Sequence, residues 1–199
     1  MGNNTLQSLD AIQPITQDGE KSSDPVDKEY QEGKKFLEDG DLSQAAVALH
    51  NALVGYEQKD NSVGVANASN QLGHVCLQKD DYANALKHYL RAYEICDELN
   101  DRMSVLAVAH KIVDVYFGLE DYKNAVKWCL EIIDLYHDNR NPQGMVLIME
   151  KLATIYIEAG DTELAADTYR TIASIHKNFK HEKMAQNFLE KAAAVENKE

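Results

Sequence analysis

Four aspartate–alanine pairs, spaced 40 residues apart, govern what this chain can fold into. Asp41 and Ala45, Asp81 and Ala85, Asp121 and Ala125, and Asp161 and Ala165 keep one phase, and Tyr82 and Tyr122 follow the second and third aspartates. A fixed period of 20–50 residues is the signature of tandem arrays, in which a unit buries its apolar face only against its neighbours. The aspartate suits the cap of a helix and the alanine suits a crossing where two helices touch.

The residues around these pairs read as helix, tight turn, helix. Asp24 is placed to cap a first helix and Pro25 to occupy its first position, where a missing N–H costs nothing. Val26, Tyr30, Gly33 and Leu37 then share one face, and Gly40 stops the helix before Asp41 opens the next. Polar breaks at Asp60-Asn61, Asn100-Asp101 and Asn141-Pro142 separate the units. The boundaries fall at about 24–60, 61–100, 101–140 and 141–180. A further helical stretch, 181–197, is rich in Lys and Glu and serves as an end cap with a polar outer face. Residues 1–23 are polar, lack sustained periodicity and read as a disordered head. No stretch alternates at period two, so an all-α fold is expected.

Composition narrows the function. The 199 residues carry 33 acidic and 20 basic side chains, a net charge of −13, with no basic cluster of the kind that holds nucleic acid. No apolar run is long enough to cross a membrane and no signal peptide is visible, so neither nucleic acid nor membrane insertion is expected. Three cysteines cannot frame a disulfide scaffold, and the chain reads as cytoplasmic and reduced. Glycine-rich phosphate loops, HExxH and GxSxG are absent, and no catalytic constellation is visible. His74, His110 and Asp114 could be grouped as zinc ligands. No local Cys/His spacing supports them, so no metal and no cofactor are assigned. Cys76, Cys96 and Cys129 occupy positions that are packed in other copies and read as small core residues.

The stretch NQLGHVCLQKDDYANALKHYLRAY, Asn70 to Tyr93, resembles the tetratricopeptide repeat: leucine-glycine and an aromatic in the first helix, an aspartate-aromatic turn, and small or aromatic residues in the second. The resemblance covers about residues 24–197. Gly33 and Gly73 match its small residue at the close helix approach, whereas Val113 departs from it, and Asp80 and Glu120 replace its turn glycine. The long period is similar to the variant of peptide-sensing bacterial regulators and polarity scaffolds, as are Gly64 and Gly144. The resemblance implies a right-handed superhelical solenoid of four helix–turn–helix repeats plus a C-terminal capping helix.

In that family the first helices line a concave, peptide-binding surface. Carried over residue by residue, this implies a binding wall of Lys34, Asn67, Asn70, Gln71, His74, His110, Lys111, Asp114, Lys151 and Thr154, with Tyr30 and Glu150 beside them. Amides and imidazoles can both donate to and accept from an extended backbone. His74 and His110, left near the ordinary imidazole value, would charge as pH falls through about 6.5 and strengthen the capture of an acidic segment. The expected function is a non-enzymatic adaptor or assembly scaffold for a protein or peptide partner. The alternative is a peptide-sensing regulator whose solenoid changes curvature. Self-association is open to either.

Overall fold

The computed structural model describes residues 24–197; the expectation for the 1–23 head lies outside them. Among the described residues there are nine helices and no strand: α1 (Pro25–Glu38), α2 (Leu42–Gln58), α3 (Ser62–Gln78), α4 (Tyr82–Glu98), α5 (Arg102–Gly118), α6 (Tyr122–Asp138), α7 (Pro142–Ala159), α8 (Thr162–Asn178) and α9 (Glu182–Glu196). The fold is an all-α repeat solenoid. Two compact units divide it, one ending at Lys111 and the other beginning at Ile112, so that the division falls within α5.

Every connection is built the same way. The residue that stops each helix has positive φ: Gly40, Asp60, Asp80, Asn100, Glu120, Arg140, Gly160 and Lys180. The next residue donates its N–H to the carbonyl five positions back, as in Asp41 to Phe36, Asp81 to Cys76 and Asp121 to Tyr116. This left-handed stop satisfies carbonyls that the helix end would otherwise orphan. At six of the eight connections the same residue also caps the following helix with its side chain, Asp161 and His181 being the exceptions. The side chains of Asp41, Asn61, Asp81, Asp101, Asp121 and Asn141 accept from the N–H three residues on, at 2.9–3.2 Å. One residue thus serves two helices, its backbone N–H closing the first and its side chain capping the second, and successive helices from α2 onward start 20 residues apart. Asp80 and Glu120 hold the turn conformation without glycine, at φ of 55° and 57°.

Packing follows from small residues placed against large ones. Ala45, Ala85, Ala125 and Ala165 are fully buried, as helix crossings require. A Cβ added to Gly73 would meet the Tyr89 ring at 2.7 Å, and one on Gly33 would meet Leu49 at 2.7 Å. At the same 16-residue offset the third repeat has Val113 and Cys129, both buried, a larger first residue with a smaller second one. Between repeats, Tyr56 covers Gly64 and Tyr136 covers Gly144, whereas Cys96 is hydrogen-bonded to Ser104 in that register. In the first unit Tyr30, Leu49, Leu53, Tyr56, Val65 and Leu72 form the core. In the second, Met149, Tyr169, Ile172, Phe188 and Ala192 do.

Candidate functional site

The residues expected to bind lie on the first helices of the pairs, and each unit carries its own set with its own chemistry. In the first unit the central element is α3, SVGVANASNQLGHVCLQ. Its 17 residues include no Asp, Glu, Lys or Arg, in a chain where these four make up 27% of residues. Val65, Ala66, Ala68, Ser69, Leu72, Gly73 and Val75 bury its packing faces. Asn67, Asn70, Gln71 and His74, all half-buried, follow at helical spacing along the remaining stripe.

Neighbouring groups hold this stripe in place. A hydrogen bond joins Gln71 to Tyr30 of α1, whose buried phenol is pushed up to about 12. Lys34 lies over the Tyr30 ring, 5.9 Å from its centroid. The His74 ring stands edge-on to Tyr89 of α4, 5.7 Å between centroids. Burial, reinforced by the charge of Lys111, drives His74 down to about 4. It is therefore a neutral imidazole at physiological pH, able both to donate and to accept. The expectation that His74 charges near pH 6.5 is corrected, because packing against Tyr89 removes the water that its charged form needs. Among the described residues no ion pair includes Lys34 or Lys111. His110 sits half-buried on α5 beside Lys111.

In the second unit the corresponding positions are tied to each other. Lys151 of α7 pairs with Asp114 of α5 at 3.1 Å and lies 4.6 Å from the Phe117 ring centroid. One helix on, Lys191 of α9 pairs with Glu150 of α7 at 3.2 Å and lies 4.4 Å from the Phe188 ring. Thr154 donates its hydroxyl to the Glu150 carbonyl at 3.1 Å. Asp114 and Lys151 thus satisfy one another and brace successive first helices. Lys191 was missed in the sequence, although it stands 40 residues after Lys151 and 80 after Lys111; its signal is that column of lysines.

The cysteines sit in the packing. Burial pushes Cys96 up to about 11 and Cys129 up to about 12, so neither is a thiolate at neutral pH. Among the described residues no helix is long and apolar enough to cross a membrane.

Residues 64–136 match the family model of the tetratricopeptide repeat, on the segment that carries the sequence resemblance. No curated protein matches the chain in sequence. Among solved structures, the apo form of RapI is similar with a TM-score of 0.66 at 14% identity, over 84% of this chain and 62% of RapI. The nearly identical TPR-like repeats of a putative kinesin light chain from Podosopora anserina, in a Q17M variant, give 0.63 at 13% identity, over 87% and 95%. A Rap protein complexed with Competence and Sporulation Factor gives 0.62 at 15% identity, over 84% of this chain and 47% of that one. At such identities the likeness is one of fold.

Proposed function

We infer that this chain, a tetratricopeptide-repeat solenoid, is a non-enzymatic protein-interaction module that holds an extended peptide or a partner's extended segment on its first-helix wall. The observation that carries this reading is α3. A 17-residue helix without charge, showing two asparagines, a glutamine and a neutral histidine along one stripe, is not what hydration alone selects in so acidic a chain. Such groups match the alternating donors and acceptors of a peptide backbone and are indifferent to its charge. Lys34 and Lys111 flank the stripe and favour acidic side chains on the bound segment. The wall in the second unit, with Lys151 committed to Asp114 and Lys191 to Glu150, braces the scaffold and contributes little to capture.

The similarity of fold to a Rap protein that binds Competence and Sporulation Factor favours a second reading, in which the bound segment is a signal and the chain its sensor. Both readings use the same stripe. A peptide-display library selected on the full chain tests them. Selected peptides should lose at least ~10-fold in affinity when Asn70 and Gln71 are both changed to alanine, since removing hydrogen bonds costs about 0.5–1.5 kcal/mol each and buried partners are left unsatisfied. Thr154→Ala should leave affinity unchanged. Binding that survives the double change but fails with Thr154→Ala would move the site off α3.

A further inference from the structure

At the α8–α9 turn the repeat breaks its own rule. At the six turns from Asp41 to Asn141 the capping residue is Asp or Asn and its side chain accepts a helix N–H. At the α7–α8 turn Asp161 keeps the residue type without making the bond; here the capping position holds His181, neither Asp nor Asn, and α9 has no side-chain cap. Five residues back, where Tyr56, Cys96 and Tyr136 stand in the earlier pairs, is His176. A stabilising cap has been exchanged for an imidazole, and local rules are broken most often where a site is built. The two imidazoles face each other, Nδ1 to Nδ1, at 3.5 Å.

That separation is long for a hydrogen bond, whose heavy atoms lie about 2.7–3.2 Å apart. It matches an edge of a coordination tetrahedron. Two nitrogens each ~2.0–2.1 Å from a zinc ion and tetrahedrally disposed about it are ~3.4 Å apart. The rings are also held in place. His176 stacks on Phe188 of α9, 5.4 Å between centroids and 10° between planes, and His181 stacks with Phe179. We propose that His176 and His181 form a two-imidazole chelate for a divalent transition-metal ion of the zinc class, which fastens α9 to the end of α8.

No third His, Cys, Asp or Glu joins the pair among the described residues, so water or a partner's donor completes the shell and the site is exchangeable. Coordination through Nδ1 leaves the proton of each ring on Nε2. The Nε2 of His181, on an exposed residue, reaches water. The Nε2 of His176 is buried without an acceptor, which lowers affinity below that of a closed structural site.

The test is titration of the full chain, free of any histidine tag, with Zn2+ by calorimetry and with Co2+ by visible absorption. One equivalent should bind, Co2+ should show the intense bands of tetrahedral coordination, and the melting temperature should rise with metal. His181→Asn restores the cap present at Asn61 and Asn141 and so keeps the fold. It should nevertheless weaken the metal at least ~10-fold, because losing even an outer-shell partner costs about 10–100-fold. His137→Ala, at an exposed histidine of α6, should change nothing. Affinity that is unchanged in His181→Asn, or Co2+ that stays octahedral and pale, overturns the site.

Discussion

His74 shows how one position can be legible in kind and illegible in state. Its place on α3 follows from helical spacing, but its protonation depends on Tyr89 fifteen residues later and Lys111 on another helix. Burial first, and Lys111 second, hold it down to about 4, well below the unfolded value near 6.5. The sign of the consequence follows from linkage. Below about pH 6.5 the unfolded chain binds a proton at this imidazole that the folded chain refuses until about pH 4. The stabilisation is present in full above the unfolded value and is lost as pH falls across that window. His74→Gln keeps a neutral polar group and should flatten the decline of the urea midpoint between pH ~7 and ~5.5. Parallel slopes for the two proteins would mean that His74 charges in the native state.

At the scale of the helix pair, the repeat conserves volume across a contact rather than residue identity. A Cβ at Gly144 would lie 2.2 Å from the Tyr136 ring, whereas the second repeat sets Cys96 against Ser104 in the same register. Gly144→Ser should therefore cost about 1–3 kcal/mol through overpacking. Tyr136→Cys should cost more, because it empties a fully buried site. The double variant recreates the Cys96–Ser104 pair and should cost less than the sum of the two by at least ~1 kcal/mol. Urea midpoints for the four proteins measure it, and additivity to within ~0.5 kcal/mol would dissolve the coupling. Much of this level could be read from the chain. The caps at Asp41, Asp81 and Asp121 and the buried alanines at 45, 85, 125 and 165 are set by spacing alone. What could not be read was pairing between helices. Lys111 and Lys151 occupy one column 40 residues apart, yet only Lys151 meets a carboxylate, because residue 114 is aspartate where residue 74 is histidine. Of the candidate wall, the α3 residues share one half-buried stripe, whereas Lys151 on α7 is committed to Asp114. Asp80 and Glu120 were placed at the turn-glycine position by the repeat, and both take the left-handed conformation there without glycine.

For the whole molecule, the question is which electrostatic effect governs stability. Six ion pairs of Lys or Arg with carboxylates are visible among the described residues, with side chains 33–63% exposed to solvent. Exposed pairs contribute about 0–1 kcal/mol each, and salt weakens them. Against them stands the mutual repulsion of 33 acidic and 20 basic side chains, a surplus of 13 negative charges, which favours the expanded chain and which salt also screens. The range of the two interactions separates them. Partners in a pair lie within 4 Å, well inside the Debye length even at ~0.3 M salt. Repulsion acts over distances near ~10–20 Å, where raising salt from ~0.02 to ~0.3 M removes most of it. Repulsion should therefore be relieved before the pairs are lost, and the urea midpoint should rise with sodium chloride across this range. Lys151→Met, which removes one brace on α7, should shift every midpoint down while leaving that rise intact. A midpoint that falls with salt in the parent and flattens in Lys151→Met would instead make the Asp114–Lys151 and Glu150–Lys191 braces the dominant electrostatic contribution to the fold.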